Sequence, residues 1–240
     1  MSVECPVCKS ANCSSVGEKE GCAIHRCTSC STYFVSRYDR AKAEALYEGY
    51  HTTKTYVSKP KSKMRRSLRR VQRLKAQYGG KRFLDVGCNV GFTVEAARQV
   101  GYEANGSDID PKAIEIARQM HPQCTFHSGG FEALKQAGLK FDVIYCAEVI
   151  EHTSDPISFA RELAGLLTPG GILFLTTPDG GHMLRPRDFM QWNEVCPPQH
   201  LVWLNRGSLA RVLKEAGFDT VRYRLNLKPG LRAFATKSAA

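Results

Sequence analysis

After residue 80 the chain alternates between short apolar runs and stretches in which apolar side chains recur every three or four positions. The short runs are typical of buried β-strands, and the spaced pattern is typical of amphipathic helices. The pattern predicts strands at 82–86, 103–108, 124–127, 141–146, 172–176, 218–225 and 231–236, with helices at 93–100, 111–120, 131–137, 156–167 and 208–216. Seven strands that alternate with helices predict an α/β fold with a doubly wound, mostly parallel sheet. Ligands of such sheets bind at the carboxyl ends of the strands.

The segment 54–82, which leads into this domain, carries much of the chain's net charge of +11, and every charged residue in it is Lys or Arg. Within it a helix is predicted at 62–77, with an apolar face from Met64 to Leu74 and a basic face opposite. Three interpretations stay open for the basic face. It is a solvated helix surface, or it binds an acidic partner such as a phosphate-bearing glycan, a lipid carrier or an anionic membrane. The third interpretation is that it binds the phosphates of RNA.

Two Cys-x-x-Cys pairs stand near the start of the chain, Cys5 with Cys8 and Cys27 with Cys30. Each pair can offer two thiolates from one tight turn, and four thiolates around one ion form a closed tetrahedral zinc site. Such a site contributes folding energy and carries out no reaction. The spacing therefore predicts a structural zinc ribbon.

These features divide the chain into a zinc ribbon over 1–35, a connector with the basic helix over 36–79, and the α/β domain over 80–240. Six of the ten cysteines lie at metal-like spacing before residue 31, and the others are scattered. This usage fits a reducing compartment, so we expect a cytoplasmic protein. No apolar run is long enough to cross a bilayer and no secretion signal opens the chain, so no transmembrane segment is expected.

A glycine-containing loop at 87–91 follows the first predicted strand of the α/β domain and precedes its helix. Glycine permits the tight turn and a close approach of a ligand, and Asn89 tolerates the left-handed conformation. The spacing Gly-x-x-x-Gly differs from the Gly-x-Gly-x-x-Gly pattern of NAD-binding proteins. Asp85 ends one strand and Asp108 ends the next, where a carboxylate can accept both hydroxyl protons of a ribose. The pattern predicts a nucleoside pocket.

Four motifs in this order resemble the class I S-adenosylmethionine-dependent methyltransferases. They are Leu84-Asp-Val-Gly-Cys-Asn-Val-Gly91, Gly106-Ser-Asp-Ile-Asp-Pro111, Phe141-Asp-Val-Ile-Tyr-Cys146 and Leu166-Leu-Thr-Pro-Gly-Gly171. The resemblance implies S-adenosyl-L-methionine as cofactor. It places the loop 87–91 against the methionine moiety, Asp108 on the ribose and Ile109 beside the adenine. The implied cofactor-binding residues are Asp85, Gly87, Cys88, Asn89, Gly91, Asp108, Ile109, Gly130, Phe131 and Cys146. The family usually has an acid near Gly130, and this chain has none there.

The fourth strand of the α/β domain leads into Glu148-Val-Ile-Glu151-His152. Two carboxylates and an imidazole can bind a divalent ion, or His152 can act as a base. The alternative is that Glu151 and His152 only order the loop. This stretch resembles the ubiquinone-biosynthesis O-methyltransferases, and the resemblance implies Mg²⁺ held by Glu148, Glu151 and His152.

The long insert at 178–204 contains a Pro-x-His-Leu segment around His200 that also resembles that branch. The resemblance implies a lid over the methyl acceptor, formed by His200, Trp192, Trp203 and Met190. The alternative is that Trp203 belongs to the core and His200 caps a turn. The expected acceptor-side residues are His152, His200, Glu148, Tyr47 and Tyr50.

A ribbon before a methyltransferase fold resembles two groups of enzymes. One group methylates sugars, glycans and other small molecules in bacteria, and the other comprises zinc-ribbon rRNA methyltransferases. The first shares the four-cysteine spacing and the Pro-x-His-Leu insert, so we expect O-methylation of a small molecule, a sugar or glycan, or a lipid-linked intermediate. The alternatives are an RNA methyltransferase and a non-catalytic adaptor that keeps the fold.

Overall fold

A computed structural model describes residues 3–39 and 59–238. Tyr47, Tyr50 and the beginning of the basic segment 54–82 lie outside the described residues. The strands are β1 (Cys13–Lys19), β2 (Cys22–Cys27), β3 (Tyr33–Arg37), β4 (Arg82–Val86), β5 (Glu103–Asp108), β6 (Thr125–Ser128), β7 (Phe141–Ala147), β8 (Leu167–Pro178), β9 (Val202–Trp203), β10 (Thr220–Tyr223) and β11 (Gly230–Thr236). The helices are α1 (Pro60–Tyr78), α2 (Phe92–Gln99), α3 (Pro111–Met120), α4 (Phe131–Gln136), α5 (Pro156–Leu166) and α6 (Arg206–Glu215), with short 3₁₀ turns at Ile150–His152 and Phe189–Gln191.

Seven of these strands form one sheet in the order β10-β11-β8-β7-β4-β5-β6. The pairs β7–β4, β4–β5 and β5–β6 are parallel, and helices connect the strands. The predicted α/β fold with a mostly parallel seven-stranded sheet is therefore confirmed. No helix among the described residues is long and apolar enough to span a membrane.

The residues group into two compact units. Of the described residues, the first unit contains 3–39, 147–164 and 175–235, and the second unit contains 59–146, 165–174 and 236–238. The predicted domain boundaries after residues 35 and 79 stay predictions.

The core of the second unit is built from the parallel strands. Phe83 and Leu84 of β4 and Val143 and Ile144 of β7 are fully buried, as expected for strands that are covered on both faces. The predicted basic helix is confirmed as α1, which begins with Pro60 at its first turn and ends at Tyr78, directly before Gly79.

The predicted strand at 172–176 proved to be the middle of the longer strand β8, which already begins at Leu167. The glycines at 170 and 171 predicted a turn before the strand. The amide of Gly170 donates to the carbonyl of Lys237 (3.1 Å), and Gly170 has the left-handed backbone of a turn, with φ of +74°. The turn glycine therefore lies inside the longer strand, where a residue far along the chain bonds it.

The first unit holds a second, four-stranded sheet in the order β1-β2-β3-β9. Its last strand belongs to the insert 178–204, which was predicted to be irregular, and pairs Trp203 with Tyr33. Trp203 and Trp192 lie in a buried cluster with Tyr33 and Phe189. This position corresponds to the core interpretation of Trp203 rather than to the lid.

Candidate functional site

The four cysteines of the two Cys-x-x-Cys pairs meet in the first unit. The Sγ atoms of Cys5 and Cys30 are 3.6 Å apart, and those of Cys8 and Cys27 are 3.4 Å apart. All four Sγ atoms lie within 4.8 Å of one another. Zinc–sulfur bonds of about 2.3 Å separate the sulfurs of a tetrahedral site by about 3.8 Å. The donor set and its spacing suit a zinc ion, which would hold the two turns together.

Each cysteine pair lies on the same kind of turn. The amide of Lys9 donates to the carbonyl of Cys5 (3.0 Å), and the amide of Ser31 donates to the carbonyl of Cys27 (2.9 Å). Lys9 and Ser31 both have left-handed backbones, with φ near +59° and +57°. The two turns therefore present their sulfurs in the same way, and the strands β1 and β2 between them fix their separation.

The thiols of this cluster are electrostatically coupled. The hydrogen bond that Cys5 donates lowers the pKa of Cys30, and the same bond together with burial raises the pKa of Cys5. Burial also raises the pKa of Cys8. All four thiols would lose their protons when a zinc ion binds, because thiolate is the form that ligates zinc.

In the second unit β4 ends in a sharp turn at residues 87–91. Gly87, Asn89 and Gly91 have left-handed backbones, with φ of +73°, +49° and +82°. A Cβ atom at Gly91 would lie 2.6 Å from Cζ of Phe126, so only glycine fits there. The turn is thus held by backbone conformation and by packing against β6.

The amides of this turn are bonded within the protein. Gly87 and Cys88 donate to the carbonyl of Ser107 (2.8 and 3.1 Å), and Gly91 donates to the carbonyl of Cys88 (2.9 Å). Val90 donates to the side chain of Asn89 (2.7 Å). A phosphate-binding loop directs its backbone N–H groups at the ligand. This turn offers a close surface and carbonyl oxygens instead, which suits a ligand that carries no phosphate.

Asp108 at the end of β5 is held by two backbone amides. Asn89 donates to Oδ2 (2.8 Å), and Asp110 donates to Oδ1 (3.0 Å). Each carboxylate oxygen has a second lone pair with which it can accept a hydroxyl proton. The carboxylate is therefore fixed in position and can still bind the two hydroxyl groups of a ribose.

Asp85, at the end of β4, is only 5% exposed. Burial and the neighbouring charge of Asp108 raise its pKa well above the ordinary value. A buried acid beside a second acid is stabilised in its charged form when a positive group approaches. The turn between the two acids therefore favours a cationic ligand.

The other predicted cofactor residues differ in their environments. Ile109 is 65% exposed, which is unusual for its size. Cys146 is fully buried, and Sγ of Cys88 points at Gly106, where it would lie 2.8 Å from an added Cβ. The thiol of Cys88 donates to the carbonyl of Asn89 (3.6 Å), within the same turn. Gly130 precedes α4 with open space at its Cα, and Phe131 begins that helix.

The second acidic cluster lies in the first unit, around the 3₁₀ turn Ile150–His152. One ligand atom each from Glu151, His152 and His200 lies within 4.8 Å of the other two. Glu148 is not part of this group, and its Oε1 accepts a hydrogen bond from Thr176 (2.6 Å). The structure thus brings His200 to the predicted Glu151–His152 pair.

Glu151 is fully buried, and its two oxygens differ. Thr177 donates to Oε2 (2.9 Å), whereas Oε1 has no hydrogen-bond partner among the described residues. Burial and the charge of Glu148 raise the pKa of Glu151 well above its ordinary value. A buried oxygen without a partner calls for a proton donor or a cation.

Backbone carbonyls orient both imidazoles. Nδ1 of His152 donates to the carbonyl of Gln199 (2.7 Å), and Nδ1 of His200 donates to the carbonyl of Glu194 (2.8 Å). These bonds set the tautomer with Nε2 as the basic nitrogen, as in many metal-bound and catalytic histidines. Burial also lowers the pKa of His200, which keeps that ring neutral.

The sequence did not indicate the groups that hold these side chains. Thr176 and Thr177 fix the two glutamates, and the carbonyls of Glu194 and Gln199 fix the two rings. The residues of each ring bond lie 47 and 6 positions apart, so no helix or strand period reveals them. Thr176 and Thr177, at the carboxyl end of the strand predicted at 172–176, stood where functional side chains are expected.

Residues 57–223 match the family described as "Methyltransferase domain". A ubiquinone biosynthesis O-methyltransferase from Bordetella avium (strain 197N) is 36% identical over 113 residues, which are 45% of this chain and 46% of that relative. The chain thus spans about half the length of this curated relative. A relative with the same name from Thiobacillus denitrificans (strain ATCC 25259 / T1) is 30% identical over 61% of this chain and 68% of its own length.

Two solved structures have the same fold at low sequence identity. Magnesium protoporphyrin IX methyltransferase (ChlM) from Synechocystis PCC 6803 with bound SAH has a TM-score of 0.59 and 18% identity, and the match covers 83% of this chain and all of that chain. An S-adenosylmethionine dependent methyltransferase from Mesorhizobium loti has a TM-score of 0.57 and 17% identity, over 70% of this chain and 96% of that chain.

Proposed function

The chain belongs to the methyltransferase domain family, and from this premise we propose that it transfers a methyl group from S-adenosylmethionine to a hydroxyl group of a small molecule. The O-methyltransferase names of the relatives support the reaction and the class of acceptor atom. The acceptor is a small molecule, a sugar or glycan, or a lipid-linked intermediate.

The observation that carries this proposal is the turn at 87–91, whose amides are bonded within the protein and which lies between two acids. Asp108 would bind the ribose hydroxyls with the lone pairs that the amides of Asn89 and Asp110 leave available. Asp85 would face the positively charged methionine end of the cofactor, which would lower its raised pKa. The exposed side chain of Ile109 would pack on the adenine. Gly130 and Phe131 are proposed at the adenine edge.

His200 or His152 would accept the proton of the acceptor hydroxyl at Nε2. The hydroxyl oxygen then forms the new bond to the methyl carbon while the carbon–sulfur bond of the sulfonium breaks, and S-adenosylhomocysteine leaves as a neutral thioether. Both rings are oriented by backbone carbonyls, which prepares them for this role. Glu148 and Tyr47 remain proposed acceptor-side residues.

Glu151, His152 and His200 also form a ligand set for a divalent ion. The orphan Oε1 of Glu151 supports this role. Two imidazoles and one carboxylate suit a transition ion better than Mg²⁺, which prefers oxygen ligands. A bound ion would act as a Lewis acid that lowers the pKa of the acceptor hydroxyl. Dialysis against a chelator, followed by metal analysis and an activity assay, distinguishes this role from base catalysis by the rings alone.

The four-cysteine cluster is proposed to hold one structural Zn²⁺ per chain. Its removal would unfold the strands β1–β3, because four close thiols in this small sheet are held together by the metal. We expect one zinc per chain, lost in Cys27→Ser together with a lower melting temperature. Two ions or none at the cysteines of the native chain would contradict the proposal. Six of the ten cysteines stand at metal-like spacing before residue 31, and this usage supports the proposed cytoplasmic location.

Calorimetry tests the main proposal. The chain should bind S-adenosylmethionine and S-adenosylhomocysteine but not NAD. When S-adenosylmethionine carries a deuterated methyl group, mass spectrometry should find that group on the oxygen of an accepted hydroxyl compound. A folded chain that binds neither sulfur compound would support the adaptor alternative and remove the main proposal.

One observation favours the RNA alternative. The cations Lys61, Arg65, Arg66, Arg69 and Arg73 on α1 are exposed, and within the described residues none of them forms an ion pair. RNA binding that weakens steeply with salt and disappears when the four arginines are replaced by glutamine would favour an RNA acceptor. RNA binding that is weak and that does not change when the four arginines are replaced would favour the small-molecule acceptor.

A further inference from the structure

Five large apolar side chains are exposed in the part of the chain that the structure describes, and four of them lie on two loops of the first unit. Met183 and Leu184, 90% and 63% exposed, lie in the loop after β8. Leu225 and Leu227, 82% and 77% exposed, lie in the loop between β10 and β11. Large apolar residues that gather at loop tips in this way mark an interaction surface.

Hydrogen bonds tie these two loops together. Nε2 of His182 donates to the carbonyl of Asn226 (3.2 Å), and Nδ1 of the same ring accepts from the amide of Leu184 (3.1 Å). The amide of Asp179 donates to the carbonyl of Pro229 (3.4 Å). The apolar tips therefore belong to one surface, which we call the loop pair and define as residues 180–188 and 222–229.

The loop pair is strongly basic. Arg187, Arg222, Arg224 and Lys228 are exposed, and the one acidic residue in 180–188 and 222–229 is Asp188, which accepts from the amide of Met190. Within the described residues none of the four cations forms an ion pair. Cations without an ion-pair partner therefore lie in the same two segments as the exposed apolar side chains.

This combination fits the surface of an anionic bilayer. Apolar side chains that protrude between cations enter the boundary between headgroups and acyl chains, while the cations contact the headgroup phosphates. The centre of a protein–protein interface, in contrast, is usually depleted in charge and enriched in aromatic residues. We propose that the loop pair docks the protein on a membrane that contains anionic phospholipid. This proposal does not depend on methyl transfer.

Sedimentation of the full chain with vesicles tests the proposal. The chain should bind vesicles of phosphatidylcholine and phosphatidylglycerol in equal parts and should remain in solution with phosphatidylcholine alone. Replacing Arg187, Arg222, Arg224 and Lys228 by glutamine should weaken binding about a thousandfold, because each cation near the surface contributes about fivefold to the affinity. Replacing the four exposed apolar side chains by serine should weaken vesicle binding about tenfold or more.

The matched control removes the same number of charges from α1, by replacing Arg65, Arg66, Arg69 and Arg73 with glutamine. This variant should bind vesicles with nearly the affinity of the unmodified chain. The reverse result, in which the α1 variant loses binding and the loop variants keep it, would overturn the proposal. So would a chain that ignores vesicles but self-associates through the apolar tips in analytical ultracentrifugation, since the surface would then join two copies.

Fluorescence reports insertion directly. The chain has two tryptophans, Trp192 and Trp203, and both are buried. The substitution Leu225→Trp adds an exposed indole, whose emission should shift to the blue with anionic vesicles and be quenched by brominated lipid. An indole placed on α1 by Gln72→Trp should do neither. Equal responses of both variants would contradict docking through the loop pair.

Discussion

Asp85 and Glu151 are two buried acids whose pKa values are raised by the same causes but whose surroundings differ. Each stands beside a second acid, Asp108 or Glu148, and in each the burial and the neighbouring charge raise the pKa. After Asp85 the protein supplies a glycine turn, whose Asn89 amide binds the neighbouring Asp108, and around Glu151 it supplies two imidazoles. A carboxylate whose pKa is raised in this way can thus favour a cationic organic ligand in one unit and a proton or a metal ion in the other.

The largest effect is expected at His200. An asparagine can still donate to the carbonyl of Glu194 but lacks the basic Nε2, so His200→Asn should lower kcat about a hundredfold or more and leave the affinity for S-adenosylmethionine unchanged. Turnover is measured as S-adenosylhomocysteine released with an accepted hydroxyl compound. His127→Asn, which alters a histidine bonded to Asn105 in the second unit, is the control. Equal losses in both variants would show that the imidazole cluster has no special role.

Asp108→Asn should have the next largest effect. The amide side chain loses the charge and one acceptor, so the affinity for S-adenosylmethionine should fall about ten- to a hundredfold in calorimetry. The control is Asp110→Asn, because Asp110 caps α3 through the amide of Lys112. That variant should lose at most about 1 kcal/mol of stability and keep the affinity. Unaltered affinity in Asp108→Asn would separate this acid from the cofactor.

Gly91→Ala should destabilise the second unit by about 2 kcal/mol more than Gly101→Ala. Both glycines have nearly the same φ, +82° and +85°, so the cost of the left-handed backbone is shared. Only the Cβ at Gly91 would collide with Phe126, whereas Gly101 has open space. Urea unfolding of the two variants measures the difference. Equal stabilities would mean that Phe126 moves aside and that the turn is less confined than described.

The smallest effect concerns pH and Asp85. Its pKa is raised in the folded state, so the native protein binds this proton more tightly than the unfolded chain does. The stability from this group is complete below the ordinary pKa of 3.8 and is lost as pH rises toward the folded pKa. Above the ordinary pKa we expect a loss of up to about 1.4 kcal/mol of stability per pH unit until the folded pKa is reached, which Asp85→Asn abolishes.

The affinity for S-adenosylmethionine should change in the opposite direction, because a cationic ligand favours the ionised acid. It should tighten over the same pH interval in the native chain and stay level in Asp85→Asn. A cofactor affinity that is independent of pH in both proteins would place the positive charge of the ligand away from Asp85.

Much of the second unit could be predicted because its signals are local. The alternation of strands and helices, the turn at 87–91 and the acids at two strand ends follow from residues close in sequence, and parallel strands align their carboxyl ends. The two cysteine pairs were equally clear, since each pair lies on one turn. The imidazole cluster was only half predicted, because the carbonyl that orients His152 lies 47 residues away.

The sequence by itself determined the order of the elements, the positions of Asp85, Asp108 and the four thiols, and the chemistry that each residue type can provide. The tertiary structure alone decided that Trp203 is core, that His200 rather than Glu148 joins Glu151 and His152, and that two distant loops share one apolar, basic surface. The physical reason is that turns and strand ends are set by the backbone preferences of neighbouring residues. The burial of a side chain, and its hydrogen bonds to residues tens of positions away, depend instead on how the whole chain folds.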